Sequence, residues 1–348
     1  MNGEVLNNLP GVLLPWFQRE KRALPWRQDR LPYHIWVSEI MLQQTRVEAV
    51  KGYYARFLEA LPTISHLASA DDEQLHKLWE GLGSYSRVRN LKKAAQVVME
   101  RHQGIFPCNY ADIRALPGIG PYTAGAIASI CYDLPTPAVD GNVLRLLSRL
   151  CNDSTPVDSP AFRKQAEQLL SAVYPADAGN FTQALMELGA TLCGPNGAPR
   201  CQECPCQNFC QAHLAGTAAV LPVRSPKKAK KQEDKTVFIL SCDGHYALSK
   251  RPEQGLLAGL WEFPNVPGQM DMAQGLETVK QWGLIPRQPL RQVQRQHIFT
   301  HIHWQMQGLY LEVARQGGPF QWLTAAQIRE EAALPTAFRQ FWEEIDHV

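Results

Sequence analysis

Apolar residues recur at helical spacing from the N-terminus to about residue 215, broken by Pro and Gly, with little strand-like alternation. That pattern predicts an all-helical region. Between Pro222 and Lys235 the run PVRSPKKAKKQEDK holds six basic and two acidic residues and no apolar periodicity, and it reads as a linker. From Thr236 the texture changes to short alternating segments, TVFILSC, HYALSKR and, near residue 310, LYLEVAR, with helix-like stretches at 272–282 and 325–346. This predicts a separate α+β domain.

Within the helical region, residues 116–140, LPGIGPYTAGAIASICYDLPTPAVD, carry the strongest local signal. A Gly-x-Gly turn at Gly118 and Gly120 sits between two helical stretches, and Asp140 follows twenty residues beyond Gly120. Two glycines let the chain turn sharply and leave amide N–H groups free at a helix start, where the dipole favours a phosphate. Such a turn also serves as a plain connection between helices. Pro117 and Pro121 bracket it, and Ala124, Gly125, Ala126, Ala128 and Ser129 let the second helix pack closely on a neighbour. Asp140, before GNVLRLLSRL, suits a helix N-cap and a reacting carboxylate together. Upstream, in YHIWVSEIMLQQTRV, Glu39 stands among Val37, Ile40, Met41 and Leu42, where desolvation would raise its pKa and suit a general acid. A lone glutamate on a helix is usually solvated. Pairing it with Asp140 changes that reading, because N-glycosidic cleavage needs a proton for the departing base and an anion beside an oxocarbenium-like sugar.

Length and composition bound these readings. The 348 residues are 45% apolar, enough for two or three domains with real cores. A net charge of +2 means that nucleic-acid contact must come from local patches. No apolar run reaches membrane-spanning length, and Glu4 with two early prolines does not suit a signal peptide, so the expectation is an intracellular protein without a membrane. Of nine cysteines, five crowd into residues 193–210 as Cys193-x7-Cys201-x2-Cys204-x5-Cys210, with Cys206 spare. In a reducing compartment this cluster points to metal rather than disulfides, and four thiolates suit zinc or an iron–sulfur centre.

PWR at 25–27, VSEIMLQQT at 37–45, LPGIGPYTAGAI at 116–127, VDGNV at 139–143 and the cysteine loop together resemble the MutY family of adenine DNA glycosylases, in order over most of residues 10–215. The resemblance implies a multidomain fold: an all-α helix-hairpin-helix glycosylase region at 1–221, a basic linker at 222–235, and a C-terminal α+β Nudix-like domain at 236–348. The helical region would divide into a six-helix module at 26–135 and an iron–sulfur module formed by 1–25 and 136–221. It implies excision of adenine opposite 8-oxoguanine or G by base flipping and hydrolysis. Glu39 would protonate the base at N7, Asp140 would stabilise the sugar cation or trap it covalently, and Tyr122 and Asn142 would position Asp140 and the water or sugar. Trp26, Arg27, Leu42, Gln183 and Met186 match adenine-pocket positions. Gln43, Gln44 and Thr45 match the segment that wedges into the vacated space, and Gly118 and Gly120 the DNA-binding hairpin. Cys193, Cys201, Cys204 and Cys210 would hold a [4Fe-4S] cluster. The implied partner is double-stranded DNA with an A:8-oxoguanine or A:G mispair, bound by a monomer in a bacterial cytoplasm, with repair or replication partners unidentified.

Five features qualify the resemblance. The first cysteine gap is seven residues where the family usually has six. Relatives that also cut the backbone carry a Schiff-base lysine where Tyr122 stands, so base removal without an efficient lyase step is expected. RPEQGLLAGLWEFP at 251–264 is similar to the Nudix-like domain, yet no glutamate-rich REUxEE run follows Pro264, so nucleotide hydrolysis is not expected. Phe299-Thr300-His301 matches the Phe-Ser-His loop that recognises 8-oxoguanine, with threonine keeping the hydroxyl, although Gln296, His297, His301 and His303 also describe an ordinary polar turn. A non-catalytic iron–sulfur DNA-binding protein and an endonuclease III-like glycosylase/lyase stay open as alternatives. The fifth lies in Gly81-Leu82-Gly83-Ser84-Tyr85, where the family has GLGYY and intercalates the first tyrosine. Base–aromatic stacking is worth roughly 1–3 kcal/mol. Ser84→Tyr should therefore raise affinity for the mispaired duplex by about that amount in equilibrium binding, and an unchanged affinity would remove Ser84 as a determinant.

Overall fold

In a computed structural model, which describes residues 3–195, 197–226 and 229–345, the chain clusters into two compact units. One comprises Met1–Ser69 with Arg89–Lys227, the other Ala70–Val88 with Lys228–Val348. Asn196 of the cysteine loop, Lys227 and Lys228 of the basic run, and position 346 at the end of the last helix-like stretch lie outside the described residues.

The helices run α1 (Leu9–Glu20), α2 (Pro32–Leu42), α3 (Val47–Ala60), α4 (Ile64–Ser69), α5 (Asp72–Trp79), α6 (Ser86–Arg101), α7 (Tyr110–Ala115), α8 (Pro121–Tyr132), α9 (Gly141–Leu150), α10 (Pro160–Ser171), α11 (Ala178–Thr191) and α12 (Gln211–Leu214). Proline at the first or second position starts α1, α2, α8 and α10, where a missing N–H costs no helical bond. In the first unit, Leu9, Leu13 and Phe17 of α1 bury against Leu144 and Leu147 of α9, Phe162 of α10 and Phe181 and Leu188 of α11. This apolar centre takes in Cys193 and Cys206 at its edge.

Helices α7 and α8 form the hairpin. Only Gly118 has a left-handed backbone, with φ +76°. Gly120, expected to share in making the turn, has φ −84°, which any residue adopts, and caps α8 with open space above it. The smallness of Gly125 is needed for a different reason: a Cβ there would lie 2.0 Å from the Pro137 carbonyl oxygen. That contact seats the chain leading to Asp140 directly on α8.

The second unit is built on a mixed seven-stranded sheet of β1 (Lys231–Cys242), β2 (His245–Lys250), β3 (Trp261–Glu262), β4 (Asn265–Pro267), β5 (Pro286–Ile298), β6 (Ile302–Val313) and β7 (Gln321–Thr324). The main path is β3-β2-β1-β6-β5, with β1 and β6 parallel and β5 antiparallel to β6. Three further helices, α13 (Met272–Gln281), α14 (Ala325–Glu330) and α15 (Thr336–Trp342), complete it. Val237 and Ile239 face a core with Phe338 and Phe341 of α15, while Phe238 and Leu240 face one with Val279 of α13. Burial on both faces explains why TVFIL is continuously apolar rather than alternating.

Three boundaries differ from expectation. Strand β1 begins at Lys231, inside the stretch read as a linker, because pairing with Ile302 and its neighbours orders the polar end of that run. The stretch at 325–346 is two helices, interrupted before Pro335, which starts α15 as its N-cap. Residues 70–88, counted in the helical region, cluster with the second unit: Leu334 N–H donates to Glu80 at 2.9 Å, and Lys250 pairs with Glu73.

Candidate active site

The pocket of the first unit collects side chains from five parts of the chain. Trp26 and Arg27 come from a 3-10 turn at Pro25–Arg27, Glu39 and Leu42 from α2, Tyr122 from α8, Asp140 and Asn142 from the start of α9, and Gln183, Met186 and Glu187 from α11. Thr45 closes one side. Its volume of about 170 Å³ suits one small planar group better than a drug-sized ligand, which takes roughly 300 Å³ or more. Every residue expected to form the catalytic set and the adenine pocket lines it.

Asp140 is the N-cap of α9. Its Oδ1 accepts the Val143 amide at 2.8 Å and its Oδ2 accepts Asn142 Nδ2 at 2.7 Å. Asn142 Oδ1 in turn accepts Arg145 Nη2 at 3.0 Å, and Arg145 Nε donates to the Cys193 carbonyl at 2.9 Å. Burial raises the Asp140 carboxyl above its ordinary value, opposed by the donors from Val143 and Asn142 and by the Arg145 charge.

Glu39 has a different environment. It is 5% exposed, and burial pushes its carboxyl up to about 7. The bond from Tyr122 and the Arg27 charge act against that rise, and Asp140 adds to it. Tyr122 Oη donates to Glu39 Oε2 at 2.5 Å. The resemblance set Tyr122 beside Asp140; its phenol instead fixes the orientation of Glu39.

Gln43 ends α2, and its Nε2 donates to Thr123 Oγ1 at 3.4 Å. Gln44 is exposed with φ +61°, a left-handed conformation uncommon outside glycine. Cys193, Cys201, Cys204, Cys206 and Cys210 line a second cavity with Arg149, whose Nη1 donates to Cys193 Sγ at 3.2 Å. Among the described residues, no three His, Cys, Asp or Glu groups stand as a single-ion site.

In the second unit, Leu82 and Tyr85 are buried, the Tyr85 ring lying edge-on to His76 at 5.8 Å. Ser84 is exposed with φ +40°. Phe299, Thr300 and His301 form the turn between β5 and β6, with Phe299 against His297 at 4.4 Å and Trp304 at 4.8 Å. Sequence reasoning missed Arg22 and Glu187, which line the base pocket. The available signal was spacing: Glu187 lies four residues after Gln183, on the same face of α11.

Comparison with known proteins agrees with this geometry. Residues 37–172 match the HhH-GPD superfamily of base excision DNA repair proteins, and residues 236–344 match a NUDIX domain. The fold is similar to that of a thermostable thymine-DNA glycosylase, with TM-score 0.54, 25% identity and coverage of 61% of this chain and 97% of that one. It is also similar to endonuclease III in a trapped covalent intermediate with DNA, with TM-score 0.53 and 20% identity over 62% of this chain and 99% of that one, a likeness of fold. These features define a base-excision glycosylase, a hydrolase of N-glycosyl bonds. Adenine DNA glycosylases of Rattus norvegicus and Homo sapiens are each 36% identical, over 94% and 95% of this chain and 76% and 72% of their own lengths. The chain belongs to the adenine DNA glycosylase family.

The Glu39 environment predicts a pH-dependent stability. A carboxyl raised from 4.5 to about 7 contributes its full stability below the lower value and loses it as pH rises through the upper one. Glu39→Gln removes the buried ionisation, so it should be more stable than the parent by about 2–3 kcal/mol near pH 8 and nearly equal below about pH 5. Urea denaturation at both values checks this; a pH-independent difference would show that Glu39 is not held protonated by burial.

Proposed function

We propose that this chain excises adenine from duplex DNA where it pairs with 8-oxoguanine or guanine. The observation that carries the reading is the pair of carboxyls in one pocket with opposed surroundings. Glu39 is desolvated and bonded by a phenol, and Asp140 is met by backbone and amide donors. Burial raises both carboxyls, but Asp140 has backbone, amide and Arg145 contributions against that rise, so we assign Asp140 as the anion and Glu39 as the acid.

In this reading the adenine leaves the stack and enters the pocket, and neutral Glu39 gives its proton to N7. As the N-glycosidic bond breaks, its electron pair stays with the base and positive charge spreads over the sugar. Asp140 stabilises that charge or bonds the sugar transiently; water then attacks the sugar carbon, displacing Asp140 where it has bonded, and gives its proton to the Glu39 carboxylate. Asn142 keeps Asp140 aimed, while Trp26, Leu42, Gln183 and Met186 hold the base. Gln43, Gln44 and Thr45, at the strained end of α2, fill the vacated stack; the Phe299–His301 turn reads the opposite 8-oxoguanine. Tyr122 has no amine for an imine, which favours hydrolysis without a lyase step.

The cysteine cavity fits a [4Fe-4S] cluster held by Cys193, Cys201, Cys204 and Cys210. Its thiols surround a space rather than converging on one point, and the buried Arg149 and Arg145 offset thiolate charge. When bound, such a cluster braces the loop against α9 and contributes no atom to hydrolysis.

Single-turnover assays on duplexes with A opposite 8-oxoguanine, A opposite G and undamaged pairs test the mechanism. Glu39→Gln and Asp140→Asn should each slow excision by about 10²–10⁴-fold; full activity in both would overturn it. For the cofactor, metal analysis should find about four irons per chain with a visible absorbance band, lost in Cys204→Ser and kept in Cys206→Ser. Stoichiometric zinc would refute the cluster.

A further inference from the structure

Glu187 takes no part in the steps above, yet its carboxylate is one of the most constrained groups in the pocket. The side chain is 1% exposed and accepts four bonds. Arg22 reaches it through its backbone N–H at 3.1 Å, Nε at 2.7 Å and Nη2 at 2.9 Å. Arg27 reaches it through Nη2 at 2.8 Å. Arg27 is held on two further sides, donating from Nη1 to the Arg22 carbonyl at 3.1 Å and lying over the Phe17 ring at 5.3 Å. Arg22, Arg27 and Glu187 line the same pocket as Glu39.

We propose that Glu187 is a positioning residue for base release: it locks the Arg27 guanidinium into the pocket wall and cancels its charge, so that Glu39 meets the base as a neutral acid. This rests on the reading of Glu39 as general acid given above. An unpaired guanidinium in a desolvated wall would favour the Glu39 anion and strip the acid of its proton at neutral pH. The groups facing Glu39 are Arg27 from the 3-10 turn, Tyr122 and Cys131 from α8, and Asp140 from the cap of α9. Among these, Arg27 is the cation. Burial would raise the Glu187 carboxyl, but bonds from Arg22 and Arg27 outweigh it and hold it at about 2, so its charge persists wherever the enzyme works.

The test is the pH dependence of single-turnover adenine excision by the full chain. The parent rate should fall as pH rises through about 7, and Glu39→Gln should lack that limb. In Glu187→Gln the midpoint should move down by about one pH unit. A rate lowered equally at every pH, with the midpoint unmoved, would make Glu187 merely structural and overturn the proposal. Because Glu187→Gln leaves the half-buried guanidiniums of Arg22 and Arg27 without their carboxylate and could fail to fold, Arg27→Met and Arg27→Met/Glu187→Gln form the second comparison. Their midpoints should coincide, at or above the parent value, since the effect of Glu187 runs through Arg27; a lower midpoint in the double variant would also overturn it. A parent without the limb would instead refute Glu39 as the acid, and this inference with it.

Discussion

The arrangement of this site depends on one carboxylate that performs two structural tasks. Asp140 caps α9, a bond worth about 0.5–2 kcal/mol in similar settings, and the same geometry presents its charge to the base pocket. The cap cannot turn away without losing the Val143 amide and the Asn142 bond. Asn142 is itself held by Arg145, which ends on the carbonyl of Cys193. Distortion at the cysteine loop therefore reaches Asp140 through two side chains, Arg145 and Asn142. From the other direction, the close approach of Gly125 to Pro137 fixes the segment that delivers Asp140 to the cap. The hairpin helix, the cysteine loop and the Asp140 carboxylate form one connected unit.

Two acids that line one pocket are held in different surroundings. Asp140 keeps donors on both oxygens, and these oppose the rise that burial imposes on its carboxyl. Glu39 is buried among apolar residues with one phenol as its partner, and the anion is the disfavoured form. The asymmetry comes from placement: an N-cap exposes a side chain to free backbone N–H groups, while mid-helix those groups are already spent. Position along a helix thus separates the roles before any neighbouring charge is counted. Arg27 would erode that separation, and its ion pair with Glu187 limits the effect.

Much of this was legible in the chain because its signals are local. Glu39 in an apolar helix, Asp140 before GNV, the Gly-x-Gly turn and the cysteine spacing all lie in short windows, and the helical and α+β halves differ in periodicity. What escaped was non-local or hidden by exposure. Strand β5 is thirteen residues of largely exposed Pro, Arg and Gln with no apolar alternation, and it forms a strand because β6 offers its edge. The first residues of β1 look like a charged linker for the same reason. The Arg22–Glu187 pair joins residues 165 apart, so only a shared helix face with Gln183 hinted at it. The partner of Tyr122 was misjudged because sequence proximity to the hairpin says nothing about which carboxylate the ring reaches.

The loop from Gly81 to Tyr85 shows how a departure from family pattern acquires physical meaning. Trp79 Nε1 donates to the Gly83 carbonyl at 3.0 Å, and Arg87 Nη2 donates to the carbonyls of Leu82 and Gly83 at 2.6 and 3.1 Å. The backbone is thereby held in a left-handed path through Gly81, Gly83 and Ser84. Residue 84 is exposed on this held backbone. Tyr85 cannot stand in for it, because its ring is buried beside His76 and withdrawing it would open a hole in its own unit. In the function proposed above, the loop that would carry an intercalating ring keeps its backbone hydrogen bonds while residue 84 is serine. In that function, discrimination falls to polar contact at Ser84, to the turn at Gln44 and to the Phe299–His301 turn, which is held by donation from Lys230 to the Phe299 carbonyl and from the Lys231 amide to that of His301.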